Sequence, residues 1–461
     1  MKEEKGLNIS ARSFVIAIAV IFVLMIASYV LTFVIPAGSY DRVIDEAGNT
    51  VIDTSSQFRY VDGGLPFWKF LLSPILILGA DGSATLIAIM AFVVIIGGVF
   101  NALMQCGVMN YMLGYICCKF GRVKYRLMAM IILFFMLMGA LVGSFEEVIP
   151  MVPIVVALSV SLGWDALTGL GMSLIAVGSG FASGLFNPFT VGVAQSLSGI
   201  PVFSGAWLRA ITLLTVYPLV LVFVRMHAKK VDTHSEENTK IFERIPALER
   251  SMRAFIIIMG TGILIVLSSS VLTFLQDYTI IIIALTFLAA GLIAPALAGL
   301  PKLGRVFLGG LKGMLPAVAM ILMASSIRYI LEEADIIDTL LHGAVGLVGE
   351  LPRWAIVLFI YLIVLVMNFF VGSGSAKAFM LIPLLVPMAK VFGISAQLCV
   401  VAFACGDGFS NIFYPTNAAT LISLGLADVD YGSWAKWTWK FQLAVLVITS
   451  GILMLGLYTG Y

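Results

Sequence analysis

The sequence predicts an all-α polytopic membrane protein, an inverted-topology repeat of about nine transmembrane helices plus two re-entrant hairpins. Three observations carry this expectation. Hydrophobic residues make up 61% of the 461-residue chain and charged residues only 11%, whereas a soluble domain is roughly half apolar and a quarter charged. Several apolar runs reach the ~20 residues that span hydrocarbon. Two stretches, Gly143–Gln195 and Gly372–Leu421, set glycines, prolines and polar or charged residues into apolar sequence at matching places in two halves, where a bilayer penalises them.

The elements follow in order. The first span is expected at 13–36, preceded by Lys2, Lys5 and Arg12. That run is too long for the apolar core of a signal peptide, so it reads as a membrane helix. Residues 37–65 are polar and lean acidic, with Asp41, Asp45, Glu46, Asp53 and Asp62 against Arg42 and Arg59; they read as an external loop. Residues 65–79, with Trp68 and Lys69, suit the headgroup level. A span at 84–106 and a weaker helix at 107–118 follow. Lys119, Arg122, Lys124 and Arg126 then cluster without an acidic residue, which marks the cytoplasmic side.

From there 127–163 reads as the first re-entrant hairpin, with its tip at Gly143–Glu147, because arms of about 15 residues are short for full crossings. Two thin full spans are the alternative. A helix over 166–195 is expected to break at Gly178–Ser183 and at Asn187-Pro188. A span at 206–226 closes the first repeat, 1–226. The mixed-charge linker 227–253 is cytoplasmic by its Lys/Arg density. The second repeat, 254–461, holds spans at 254–275, 279–299 and 312–330. An acidic external patch follows: Glu332, Glu333, Asp335 and Asp338. Then come a second hairpin, 354–393, with its tip at Gly372–Lys377, a broken helix, 396–425, and a last span, 440–458. Charge bookkeeping opens the first hairpin from inside and the second from outside. It puts the N-terminus in the cytoplasm and the C-terminus outside.

Broken, polar segments at corresponding positions of two halves are the sequence sign of a secondary transporter's binding site. Backbone that unwinds in a bilayer must be buried in protein or line a wet cavity. Helices starting after Gly143 and Gly374 would aim positive N-termini at such a cavity, and these bind carboxylates. The candidate substrate-binding residues are Ser144, Glu146, Glu147, Asn187, Pro188, Thr190, Ser373, Gly374, Ser375, Lys377, Asp407, Asn411, Thr416 and Asn417. Hydroxyls, amides and carboxylates of this kind suit a small polar substrate or Na+. Glu146, Glu147, Lys377 and Asp407 lie inside expected membrane segments, where an unpaired charge is expensive and marks function. Glu146, Glu147 and Asp407 are candidates to bind a substrate ammonium, carry H+ or coordinate Na+. Lys377 is a candidate to bind a substrate carboxylate or to stand in for a bound cation. The structural alternative is a salt bridge, for instance Lys377 with Glu147, that only locks the hairpins together.

Other classes fare worse. A net charge of +2 provides no basic surface for nucleic acid. No phosphate-binding Gly-Lys-Ser loop or His/Glu metalloprotease helix occurs. His227, His234 and His342 fall in expected loops as solvated residues, so an intramembrane serine protease lacks its partner His. The five cysteines form no disulfide framework or zinc spacing. No cofactor is expected, and the coupling ion is Na+ or H+. The expected partners are a small-molecule substrate and the lipid bilayer.

Four runs carry a family resemblance. They are Glu146-Glu147-Val148-Ile149-Pro150, Asn187-Pro188-Phe189-Thr190-Val191-Gly192-Val193-Ala194-Gln195, Gly372-Ser373-Gly374-Ser375 and Gly406-Asp407-Gly408-Phe409-Ser410-Asn411. Over nearly its whole length the chain resembles the YfcC/four-carbon-dicarboxylate anaerobic carrier (DcuC-like) family of the ion transporter superfamily. The resemblance implies hairpins that carry the site, a scaffold domain that dimerises, elevator-type movement and a bacterial inner membrane. The chain departs from that pattern at Lys377, where a neutral residue is usual, and after Pro415. The expected function is a secondary active transporter, symporter or exchanger, for a small carboxylate-bearing metabolite, first an amino acid or related organic acid. A four-carbon dicarboxylate carrier and an anion channel are the alternatives.

Overall fold

The computed structural model describes residues 11–44, 50–52, 57–80, 83–120, 123–143, 145–201, 203–233, 244–268, 278–346 and 351–461. Helix α1 (Ala11–Val34) leads into two small antiparallel ribbons. One pairs β1 (Gly38–Ser39) with β4 (Arg59–Tyr60), the other β2 (Arg42–Ile44) with β3 (Thr50–Ile52). These ribbons correct the all-α expectation in the polar 37–65 segment. Arg42 and Tyr40 tie them to Asp338, at 3.0 Å and 3.1 Å.

Helices α2 (Phe67–Leu76), α3 (Ser83–Gln105) and α4 (Val108–Phe120) follow. Then come α5 (Lys124–Leu137), α6 (Val152–Ser161), the short α7 (Ala166–Leu170), α8 (Ala176–Ser183), α9 (Val193–Leu197) and α10 (Ala206–Val231). The second half gives α11 (Pro246–Ser268), α12 (Thr279–Leu297), α13 (Leu303–Gly313), α14 (Leu315–Glu333), α15 (Ile337–Gly346), α16 (Arg353–Phe370), α17 (Gly374–Val391), α18 (Ala396–Asn411), α19 (Ala418–Leu426) and α20 (Tyr431–Thr459). Among the described residues seven helical stretches are long and apolar enough to cross a membrane, with four shorter apolar helices. The stretches expected at 13–36, 254–275, 279–299 and 312–330 are helical, as α1, α11, α12 and α14. They are not among the seven. Side chains in all four lie outside the described residues, as does 269–277, and Ile21–Val34 and Ala284–Leu297 count among the four shorter apolar helices.

Two groups of helices pack densely, linked by α14, which meets α1, α2, α3, α16 and α19, and by α4, which also meets α6. Helix α3 packs on α12 and α13, and α11 on α12 and α4. Separately, α8 packs on α5, α10 and α18, while α18 also meets α16, α17 and α20. The second group holds helices α8 and α18, the first buried along its whole length and the second along nearly all of it. Small residues make this burial possible. A Cβ at Gly408 would run into the backbone of Ala182 on α8, so the two helices touch main chain to main chain. Helices in lipid gain their stability from such close packing, because apolar burial drives nothing between them.

Two histidines depart from expectation. His227 sits in α10, and its Nε2 lies 2.8 Å from the Asp165 carboxylate. Burial works against the Asp165 charge, but hydrogen bonds from His227 and Thr168 outweigh it and hold this carboxyl below its usual range. His342 sits in α15, 2.8 Å from the Tyr40 hydroxyl and stacked on Phe58. Both sit within helices, which polarity along the sequence does not reveal. His234 lies outside the described residues.

The α8–α18 contact sets a test. Gly408→Ala forces a methyl into the Ala182 backbone and should cost about 1–3 kcal/mol, read as a lower Tm of the detergent-purified protein. Gly451→Ala on α20, which meets open space, should leave Tm unchanged.

Candidate functional site

Helix α16 ends at Phe370, and α17 starts at Gly374 after a short break. Ser373 caps α17 by accepting from the Ala376 amide. Lys377 follows in the first turn, where the helix dipole disfavours a cation. Its side chain compensates by reaching back. Nζ lies 2.7 Å from the Val371 carbonyl, bonds to Asn368 Oδ1, and faces Asp407 Oδ1 of α18 at 2.7 Å. Both charged side chains are 0% exposed. The ion pair therefore joins Lys377 to Asp407 within the second half. The side chain of Glu147, the partner named from sequence, lies outside the described residues.

Asn368 organises this corner. Its amide nitrogen lies 3.0 Å from the Asp407 carbonyl, 2.6 Å from Ser410 Oγ and 2.9 Å from Asn411 Oδ1. Those acceptors fix the amide's orientation and turn Oδ1 toward Lys377. Asn411 Oδ1 also accepts from Asn417 at 3.0 Å. Asn417 then caps α19 by accepting from the Thr420 amide at 3.0 Å, and Thr420 Oγ1 donates to the Asn411 carbonyl at 2.6 Å. The break between α18 and α19 is thus closed by side chains, as a helix end without solvent requires.

The first half uses related devices. Helix α5 runs on through Met138–Val142 to Gly143, whose φ of 76° is the left-handed conformation that glycine adopts freely. A 3-10 turn, Glu146–Met151, leads into α6. Helix α8 ends at Ser183, and Asn187 Oδ1 accepts from the Thr190 amide at 3.2 Å. Asn187–Thr190 and Asn417–Thr420 are the same cap at the two breaks, Asn with Thr three residues on. A Cβ on Gly143 would collide with the Asn187 side chain, so the first tip lies against the first break.

The halves meet at Gly374. A Cβ there would fall 2.5 Å from Thr190 Cγ2 and 2.7 Å from Asp407 Oδ2. Glu146 lies within electrostatic reach of both Asp407 and Lys377. The structure therefore brings together Glu146, Asn187, Thr190, Gly374, Lys377, Asp407, Asn411 and Asn417. Ser373 is exposed, and Ser375 and Thr416 are half-buried; Ser373 Oγ and Ser375 Oγ share a contact of 3.4 Å. Ser144 and the side chain of Pro188 lie outside the described residues.

The electrostatics of the junction are unbalanced. Thr190 Oγ1 is buried without a hydrogen bond, and the Asp407 carboxylate meets Lys377 as a charge contact rather than an aligned hydrogen bond. Buried polar atoms are rarely left so in native proteins. A polar ligand would supply the missing partner.

Several residues escape a reading of the sequence. Asn368 and Ser410 belong to the network, and Thr420 completes the second cap. Asn368 carries a usable signal, a lone amide in the apolar run Val364-Leu365-Val366-Met367 before Phe369. Arg209 of α10 is 0% exposed. It donates to the Leu185 and Phe203 carbonyls at 3.4 Å and 3.2 Å, capturing backbone oxygen released where α8 ends.

The pair predicts a stability pattern. Asp407→Asn leaves a buried ammonium without its counter-charge and should cost about 3–5 kcal/mol. The double replacement Lys377→Met/Asp407→Leu should recover most of that loss. Thermal unfolding in a buffer without Na+ measures both; equal damage in single and double variants would deny the coupling.

Residues 14–458 match the family model of the C4-dicarboxylate anaerobic carrier, DcuC. Among curated proteins, "Putative basic amino acid antiporter YfcC" of Escherichia coli (strain K12) is 30% identical over 396 residues, covering 81% of this chain and 78% of that one. An "Uncharacterized protein" of Haemophilus influenzae is 22% identical over 488 residues, covering 95% and 96%. Among solved structures, the YdaH transporter of Alcanivorax borkumensis has a TM-score of 0.45 at 15% identity, covering 97% of this chain and 99% of that one. MtrF of Neisseria gonorrhoeae has a TM-score of 0.45 at 14% identity, covering 95% and 94%. With a family model matched from end to end over an apolar, helical chain, this protein belongs to the C4-dicarboxylate anaerobic carrier (DcuC) family and is a multi-pass membrane transporter, not an enzyme.

Proposed function

We propose that the chain is a secondary active transporter of the bacterial cytoplasmic membrane that exchanges amino acids of net positive charge. One observation carries the reading: among the described residues, the buried Lys377–Asp407 pair and the half-buried Glu146 bring two acidic groups and one lysine to the junction of the two broken stretches. With both acids ionised, Glu146 and Asp407 against Lys377 carry one excess negative charge among the described side chains. A substrate with two cationic groups and one carboxylate balances it. A dianionic dicarboxylate adds to it, and in a low-dielectric site like charges repel strongly. The relative named as a basic amino acid antiporter agrees with this sign.

In this reading Glu146 takes the substrate's cationic group. The N-terminal turn of α17 and the Thr190 hydroxyl take its carboxylate. The two halves act as inverted repeats, with α5–α6 and α16–α17 as re-entrant hairpins, although Lys124–Val142, Arg353–Phe370 and Gly374–Val391 are each long and apolar enough to cross a membrane. The set around α8 and α18 moves as an elevator against the set around α3 and α11–α13, which forms a homodimer. Support for this division comes from the two packing sets and from the breaks that end at capped half-helices.

A four-carbon dicarboxylate is the second reading, favoured by the family's description and by the anion preference of the α17 N-terminus. Counterflow in proteoliposomes separates the two. Vesicles loaded with unlabelled lysine or arginine should accelerate uptake of the labelled amino acid, and succinate should do nothing. Glu146→Gln should weaken apparent affinity for the cationic amino acid by about tenfold or more, about 1.4 kcal/mol. Succinate exchange without amino acid exchange would reverse the assignment.

A further inference from the structure

We infer that the Lys377 ammonium occupies a monovalent-cation site built into the chain, so that the carrier works without Na+, and that removing the amine opens this position to Na+. The inference rests on the carrier reading for its meaning, but its test is a binding measurement that does not depend on the substrate.

The geometry is that of a cation cage. Three oxygens of different origin face Nζ: the Asn368 side-chain carbonyl, the Val371 main-chain carbonyl at 2.7 Å, and Asp407 Oδ1 at 2.7 Å. They come from the last turn of α16, the break after it, and the C-terminal part of α18. An ammonium carries three N–H groups and no acceptor; it donates to the two carbonyl oxygens, and the Asp407 carboxylate beside it supplies the counter-charge. A plain salt bridge would need only Asp407.

The same oxygen set suits a small hard cation. Unwound backbone carbonyls and the C-terminal ends of half-helices are where broken-helix carriers coordinate Na+. Val371 stands at the C-terminal end of α16, where the helix dipole is negative. The cage is also held from outside. Asn368 Oδ1 faces inward because its amide nitrogen is held by the Asp407 carbonyl, Ser410 and Asn411, and no part of that support involves Lys377. Outer contacts of this kind orient the ligands of an ion.

Removing the lysine amine leaves a fully buried carboxylate beside two carbonyl oxygens. Such a charge needs a counter-ion. Na+ carries the charge of the lost ammonium and fits oxygen ligands without a side chain to anchor it. Glu146 lies within reach of the pair and stays available for substrate, so the substrate site and the cation cage are neighbours with separate anchors.

The experiment is thermal unfolding of the purified full chain in detergent, with NaCl titrated against choline chloride and KCl at constant ionic strength. The wild type should be indifferent to which cation is present. Lys377→Met, which keeps the aliphatic volume, should gain a saturable rise in Tm with Na+ that choline does not reproduce. Lys377→Gln is the second variant and should behave alike. Adding Asp407→Asn to either should abolish the Na+ response. A wild-type protein stabilised specifically by Na+ overturns the inference, and so do folded variants with no Na+ response. Failure of both variants to fold even in Na+ medium also overturns it, because a refilled cage would replace the lost charge. A Na+ response in the variants together with no amino acid counterflow by the wild type would keep the cage and remove the substrate assignment.

Discussion

A lysine and an aspartate with no exposure, 2.7 Å apart, persist in a helical membrane protein only if the surrounding backbone is broken in their favour. Desolvating two charges is expensive, and their mutual attraction offsets it only with good geometry and further hydrogen bonds. Here the help comes from a helix end and an amide. The Val371 carbonyl is free to meet Lys377 because α16 has stopped, and Asn368 meets it because the last turn of α16 points that way. The break, the cap on α17 and the ion pair therefore depend on one another. A continuous helix through Gly372 would consume the carbonyl and strand the lysine.

The same logic runs through the first half with different chemistry. Gly143 turns the chain at the end of α5, Asn187 caps the restart after α8, and Arg209 gathers carbonyls freed between them. Among the described residues no ion pair sits at that break. What it presents is the Thr190 hydroxyl, set against Gly374. The two halves share a capping device and differ in what they offer at the junction: one brings charge, the other brings neutral polar atoms and Glu146. That inequality gives the junction a sign, and the sign is what discriminates among small substrates.

The helices and their interruptions are readable from the chain because the causes are local. Breaks lie beside Gly143, Asn187, Gly372 and Asn417, but the break expected at Gly178–Ser183 does not occur: that stretch is helix α8, and Pro383, Pro387, Gly406 and Gly408 also sit inside helices, because tight packing against neighbours holds them there. Partnership is not readable. Lys377 is equally plausible with Glu147 or Asp407 until α17 is known to cross α18, because 30 residues of separation say nothing about distance in space. Asn368 passes unnoticed because a single amide in an apolar helix looks like tolerated noise, although the cost of burying it argues otherwise. His227 and His342 read as loop residues because the polar runs around them mask the helices that hold them. The ribbons between α1 and α2 are too short to register as alternation.

If substrate binds where the two breaks meet, it lies against Glu146 and beside the Lys377–Asp407 pair. An electron cryomicroscopy structure of the chain in lipid nanodiscs with saturating lysine tests this most directly. Ligand density is expected between Glu146, Thr190 and the first turn of α17, with Lys377 still in contact with Asp407. Ligand density elsewhere, or a substrate carboxylate that has drawn Lys377 away from Asp407, would contradict it.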